Sequence, residues 1–368
     1  MDLPPRSPTF GGCSHSLDGF VLLQNPLEIA PVAFAVLVAL LLAAFVTDAV
    51  VVRRLLVPRI CDHFEKAPAF NVIPAEPVPT AVPITFRASD GLTLHGSLIN
   101  SELPDPVGLV LFLPEHRGNH WTAPRYCQSL IDAGYVVMSF DFRNQGESDS
   151  LDGYSPSHWM TEFEMQDVAA AMEFIEAHPV LSTLPILTFG VSRGGVAALL
   201  AACRYHRIRG VIADSAFGTI TTLRFFADRF AGLFVPKSLF RFFPEWHISR
   251  TLRRVMALSE RRRGCRYVHL EDEVAHLEAR SVLLISGSAD SYISTEVARR
   301  LQHLAGSGTQ LWIARGAGHN SARVRLTDEY DRRVNVHAAR CLQSQSATPV
   351  DQLTAEAETA SRPVARTA

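Results

Sequence analysis

Lysine is almost missing from this chain: only Lys66 and Lys237 stand against 33 arginines in 368 residues. With 37 acidic side chains the formal net charge is −2. There is no electrostatic footprint for nucleic acid, and that class of partner is excluded. Cysteine is scarce too, and its six positions (13, 61, 127, 203, 265 and 341) never approach CxxC spacing. Neither a zinc site nor a disulfide framework fits that spacing, so buried reduced thiols are expected. Only 20% of the residues are charged and 47% are apolar, which excludes global disorder and coiled-coil arrays. No internal repeat is present. What remains is one sizeable domain with attachments, or two ordinary domains.

The first attachment is a long apolar run. Residues 29–46 carry no charge, and the run continues past Thr47 and Asp48 to Val52 before meeting Arg53 and Arg54. At ~1.5 Å per helical residue it is long enough to cross a ~30 Å hydrocarbon layer. The leader, 1–28, is long and acidic, and no A-x-A site follows the run. A retained single-pass anchor at 29–52 is therefore expected rather than a cleaved signal peptide. Arg53, Arg54, Arg59 and Lys66 follow the span while only Arg6 precedes it, which orients the remainder of the chain toward the cytoplasm.

Residues 53–82 read as a basic flank and tether, with Pro68, Pro74, Pro77 and Pro79 and no helical period. From residue 83 onward, short β-rich runs alternate with helical patterns, the signature of a mostly parallel sheet covered on both faces. Strands are expected at 84–87, 92–99, 108–113, 136–140, 186–190, 210–214, 282–286 and 310–314. The first two flank Ser89-Asp90-Gly91, a hairpin signal. Helices are expected at 123–133, 161–177, 194–204, up to 304, and 322–342. The tail, 343–368, has almost no large apolar side chain and reads as disordered.

Gly190-Val-Ser192-Arg-Gly194 fits G-x-S-x-G between a strand pattern and a helix pattern. In that context the serine sits on a sharp strand-to-helix turn with its hydroxyl exposed above the sheet. Its neighbours must be glycines, because Cβ atoms there would collide with the adjoining strand or helix. A serine hydroxyl needs a base, and the base needs an acid. Of 14 histidines, His319 follows a strand in the glycine-rich loop Arg315-Gly-Ala-Gly-His319, on the sheet edge where ligands meet in open α/β folds. Asp290 ends the preceding strand on the same edge. Asp214 ends another strand and is the rival acid; the loop of Asp290 neighbours that of His319, which favours Asp290. The order Ser192, Asp290, His319 is that of one hydrolase architecture and of neither familiar protease one.

The stretch 83–342 resembles the α/β-hydrolase superfamily. The resemblance rests on five ordered pieces: Asp141-Phe-Arg-Asn-Gln-Gly-Glu-Ser148, the serine motif, Asp214-Ser-Ala-Phe217, Gly287-Ser-Ala-Asp290 and Gly318-His319. A serine at the motif's centre separates it from the dehalogenase and epoxide-hydrolase branches. The resemblance implies an α/β-hydrolase fold: a mostly parallel sheet flanked by helices, with a cap inserted between the sixth and seventh strands at 217–280. It also implies an oxyanion hole built from the backbone N–H of Arg193 and of a residue after the third strand, assigned here to His116. Two departures stand out. Pro114-Glu115 occupies the place where relatives carry His-Gly, and Asn144-Gln145 replaces Gly-His in the loop after the fourth strand; asparagine tolerates the left-handed backbone that such a turn requires.

Eight of the 21 phenylalanines fall between 217 and 243, interleaved with arginines. They serve either to pack the cap on the sheet, or to line an apolar acyl pocket, or to lie against anionic lipid. The expected activity is that of a membrane-anchored, carboxylesterase-like serine hydrolase acting on an ester, thioester or similar acyl substrate, with a hydrophobic one left open. Two alternatives stand beside it: a catalytically silent scaffold that binds a lipid or partner, and a serine peptidase. No metal or organic cofactor is implied, and the oligomeric state is left open.

Overall fold

Three runs dictate the centre of the sheet. Strands β3 (Leu109–Leu113), β4 (Val136–Phe140) and β5 (Ile186–Val191) are buried at every position, as strands of a parallel sheet covered on both faces must be. The computed structural model describes residues 26–66, 72, 74–100, 102–277 and 280–343, without the side chains of 26–29, 237 and 239. The leader 1–25, parts of the tether (67–71 and 73) and the tail 344–368 lie outside the described residues.

The chain divides into two units, Met1–Leu56 and Val57–Ala368. The described part of the first unit is helix α1 (Pro26–Val51), followed by a π-helical turn at Val52–Leu56. Its 26 residues extend about 39 Å at ~1.5 Å per residue. Phe34, Leu40, Leu41 and Val46 are all more than half exposed, so the apolar run is not the core helix of a soluble fold. It could be a membrane anchor or a signal sequence; its mean hydropathy reaches 2.7.

The second unit opens with helix α2 (Val57–Phe64). Next come β1 (Val82–Arg87), β2 (Thr93–Ile99), β3, α3 (Ala123–Asp132), β4, α4 (Glu162–Ala177), β5, α5 (Arg193–Arg204) and β6 (Ile208–Asp214). The cap follows as α6 (Thr219–Phe230), α7 (Lys237–Phe240), α8 (Glu245–Arg263) and α9 (Leu270–Glu273). The domain closes with β7 (Ser281–Gly287), α10 (Thr295–Ala305), β8 (Thr309–Ala314), α11 (Ala322–Arg325) and α12 (Thr327–Gln343). Among the described residues eight strands form one sheet in the order β1-β2-β4-β3-β5-β6-β7-β8. The β1/β2 and β2/β4 pairs are antiparallel and the rest parallel. This is the α/β-hydrolase fold, with the cap between the sixth and seventh strands. Elements agree with the sequence expectation to within a few residues, including the hairpin at 89–91, where Gly91 has φ 89°. One core layer joins the sheet to α3 and α12 through Phe112, Tyr126, Leu130, Tyr330 and Val334. The five described cysteines are buried and outside any disulfide.

The segment before the proline-rich stretch differs from a bare tether. In α2, Val57, Cys61 and Phe64 form a buried stripe at positions i, i+4 and i+7. The Phe64 ring stacks on Trp159 at 5.0 Å and meets Tyr267 edge-on at 5.5 Å. The Trp159 indole N–H donates to the Phe64 carbonyl at 3.3 Å. Arg262 of the cap pairs with Asp62 at 2.7 Å, and the Ser259 hydroxyl donates to Glu65 at 2.8 Å. The folded unit thus begins at Val57 rather than at Pro83; one short turn of stripe is too little pattern to announce itself beside the basic flank. A form of the protein beginning at Ala67 should melt well below one beginning at Val57, since losing a buried Phe costs about 3–5 kcal/mol. Thermal denaturation followed by circular dichroism measures this; equal midpoints would show that α2 contributes nothing.

Candidate active site

Ser192 lies between the last residue of β5 and the first of α5, with φ 52° and ψ −116°. A side chain there pays a backbone cost of order 1–3 kcal/mol, sustained only when its surroundings over-determine it. They do. A Cβ on Gly190 would collide with the Gly194 carbonyl, and one on Gly194 with the carbonyls of Leu113 and Pro114. The turn is therefore pressed between its own helix and the loop after β3. The Ser192 N–H donates to the Asp214 carbonyl at 2.8 Å, which ties the turn to β6.

Two and three strands away from β5, β7 and β8 end in the loops that carry Asp290 and His319. Ser192 Oγ lies 2.9 Å from His319 Nε2, and His319 Nδ1 lies 2.7 Å from Asp290 Oδ2. The other carboxylate oxygen, Oδ1, accepts the N–H groups of Tyr292 at 2.8 Å and Ile293 at 2.9 Å. Those bonds hold the carboxylate in one orientation. A hydroxyl so placed can lose its proton to the ring while the carboxylate stabilises the resulting imidazolium. The rival Asp214 is engaged elsewhere: it accepts the Tyr330 hydroxyl at 3.0 Å and the Ser215 hydroxyl at 2.9 Å. Complete burial pushes its pKa up to about 6.

The N–H of Arg193 belongs to the first turn of α5, which has no intrahelical acceptor and carries the positive end of the helix dipole. The Arg193 side chain is fully buried. It donates to the Ser157 carbonyl at 3.0 Å, pairs with Glu164 at 3.3 Å, and lies over the Phe142 ring at 5.1 Å. These contacts anchor the backbone next to Ser192, a role the motif alone does not announce.

The loop after β4 is held by Asp141, which accepts the backbone N–H of His120 at 2.6 Å, the His120 ring at 2.9 Å and the N–H of Glu147 at 2.8 Å. Asn144 takes φ 58° and Gly146 φ 52°, so the asparagine substitution preserves the turn, and its amide caps the Leu151 and Tyr154 carbonyls.

A small open cleft lies over the serine, with Glu115, His116, Arg117, His158, Ser192, Tyr292 and Asn320 in its wall. Sequence reasoning singled out His116, and marked Glu115 only as a departure. It missed His158 and Tyr292: nothing in the local pattern of His158 distinguishes it from a surface histidine, whereas Tyr292 stands two residues past Asp290. The cap aromatics divide. Phe217 is buried against Trp159 and Tyr292, and Phe226 meets Tyr292 at 5.2 Å, whereas Phe242 and Trp246 are exposed.

Comparisons with known proteins agree with this architecture. The chain is 30% identical over 129 residues to thiohydrolase aneE of Aspergillus aculeatus, covering 35% of this chain and 39% of that protein. It is 28% identical over 142 residues to protein bem46 of Schizosaccharomyces pombe, covering 37% and 44%. The chain thus spans less than half the length of these two curated relatives. Among solved structures, esterase Pf2001 of Pyrococcus furiosus superposes with a TM-score of 0.53 at 19% identity, over 75% of this chain and 97% of that one; this likeness shows the fold. The family model described as serine aminopeptidase, S33, matches residues 104–322, and the chain belongs to that α/β-hydrolase family.

Proposed function

We propose that the protein is a membrane-anchored serine hydrolase that cleaves an ester or thioester through an acyl-enzyme. The observation that carries this reading is the continuous relay from Ser192 Oγ to His319 (2.9 Å) and from His319 to Asp290 (2.7 Å). In the first half-reaction Ser192 Oγ attacks the carbonyl carbon while its proton passes to His319 Nε2. Asp290 holds the ring's orientation and stabilises the imidazolium. The negative charge that develops on the carbonyl oxygen meets the backbone N–H groups of Arg193 and His116, each worth roughly 2.7–4 kcal/mol in such a role. Collapse expels the leaving oxygen or sulfur, which takes the proton from His319. In the second half-reaction water attacks the acyl-serine and gives its proton to His319; the acid departs and Ser192 regains its hydrogen.

The aminopeptidase in the family's description offers a second reading, for which the cavity would need a carboxylate to hold a substrate ammonium group. The cavity's carboxyl is Glu115, and burial pushes its pKa up, favouring the neutral acid. That observation favours the ester or thioester. The relatives described as a thiohydrolase and an esterase support the same class. The exposed apolar helix α1 supports a single membrane span, and Arg53, Arg54 and Arg59 on its C-terminal flank support a cytoplasmic hydrolase unit.

Ser192→Ala should abolish both turnover and labelling by a fluorophosphonate while leaving the circular dichroism spectrum unchanged; a labelled mutant would move the nucleophile elsewhere. Asp290→Asn should lower kcat by about 10⁴, as expected when the imidazole loses its orienting carboxylate. Asp214→Asn should cost far less; a reversed ranking in steady-state assays would make Asp214 the acid. Full-length protein in isolated membranes should resist extraction by high salt and alkaline carbonate and dissolve in detergent. Its release by carbonate would remove the anchor.

A further inference from the structure

The wall of the cavity over Ser192 is unusually rich in polar atoms that lack protein partners. Among the described residues, Glu115 Oε2, His116 Nδ1, His158 Nδ1 and Asn320 Oδ1 are all shielded from solvent and have no hydrogen-bond partner. All four residues line the same cavity as the serine. Buried polar atoms are nearly always satisfied in folded proteins, and each one left bare costs about 1–3 kcal/mol. Four bare atoms around one small space are not needed for the fold.

Burial also disfavours a charge on three of these groups. Burial, with the Arg193 guanidinium adding to it, pulls the imidazole pKa down to about 2 at His116 and to about 3 at His158. Burial raises that of Glu115, whose Oε1 receives the Tyr126 hydroxyl at 3.3 Å. Neutral imidazoles, a carboxyl and an amide offer both donors and acceptors, and Arg117 lines the same cavity. Their positions are held: His158 contacts Trp159 at 4.5 Å and Tyr292 at 6.0 Å between ring centroids. His158 itself is 6% exposed. A plain alkyl chain in this space would leave every one of these atoms unpaired.

We propose that the cavity beside Ser192 is a binding site for a small, oxygen-bearing part of the substrate, such as the hydroxyl of a hydroxyacyl group or of a polyol alcohol, and that His158 is a specificity residue for it. The proposal rests on the hydrolase reading and names the class of substrate for that same site. Sites that hydrogen-bond a substrate hydroxyl reject the analogue lacking it far more strongly than apolar pockets reject an extra methylene.

The test uses the full chain in detergent and two matched pairs of substrates. One pair, p-nitrophenyl 3-hydroxybutyrate against p-nitrophenyl butyrate, varies the acyl side. The other, glycerol monobutyrate against propyl butyrate, varies the alcohol side. The expected result is a kcat/KM at least about tenfold higher for the hydroxylated member of one pair, which also identifies the side that enters the cavity. His158→Phe keeps an aromatic ring against Trp159 and removes both nitrogens, so it should pull that ratio down by about tenfold. Glu115→Gln, which keeps a neutral donor, should preserve more of the ratio than Glu115→Leu. The comparison in the unmutated protein stands even where a variant fails to fold. Equal or better turnover of the alkyl member in both pairs, with Ser192 still labelled by a fluorophosphonate, would overturn this inference alone. A ratio unmoved in folded His158→Phe would remove the role of His158. A chain that neither turns over these esters nor takes the label would overturn the hydrolase reading and this inference with it.

Discussion

The left-handed backbone of Ser192 is the constraint on which the site depends. A non-glycine residue at φ 52° is tolerable only where neighbours remove the alternatives. Here Gly190 and Gly194 let the turn touch its own helix and the loop after β3, and the Ser192 N–H is tied to β6. The turn thereby lifts the hydroxyl out of the sheet and aims the free N–H groups of α5 at the same point. Loops from β7 and β8 need only deliver a carboxylate and an imidazole to that point, which their places as the next two strands after β6 in the sheet allow.

Beneath this turn lies a layer of buried charge. Arg193 pairs with Glu164, which also receives the Tyr154 hydroxyl at 2.6 Å. Arg143 bridges Asp167 and Asp90, both at 2.7 Å. Burial pushes Asp167 up to about 7 even with Arg143 beside it, a sign that desolvation outweighs the attraction. Such pairs add little net stability over apolar packing. What they supply is position: a guanidinium with directional donors sets the backbone of residue 193, and losing either partner would strand a charge in the interior.

Helix α2 links the membrane question to the site. It follows the apolar helix directly in sequence and packs on the cap and on Trp159. Trp159 in turn touches His158 and Phe217, which reach the cavity region through Tyr292. Helix α2 and the residues that line the cavity are thus joined by one chain of aromatic contacts.

Much of this protein was legible in its sequence for a local reason. Strand runs such as 109–113 and 186–191, the glycines around Ser192, and the strand-end positions of Asp290 and His319 are short-range patterns, and short-range patterns follow from backbone sterics and sheet periodicity. The asparagine at 144 was readable in the same way, as a residue that accepts positive φ. Other features depended on residues far apart in the chain. That Asp290 rather than Asp214 meets His319 is decided by which carboxylate Tyr330, 116 residues away in sequence, already occupies. That α2 belongs to the folded unit is decided by Trp159, 95 residues from Phe64. The polar character of the cavity was also out of reach, because His158 acquires its burial, its neutrality and its unpaired nitrogen only when the loop before α4, the β3 loop and the Asp290 loop converge. Sequence patterns specify what a residue does to its own backbone, whereas burial and partnership are properties of the whole packed chain.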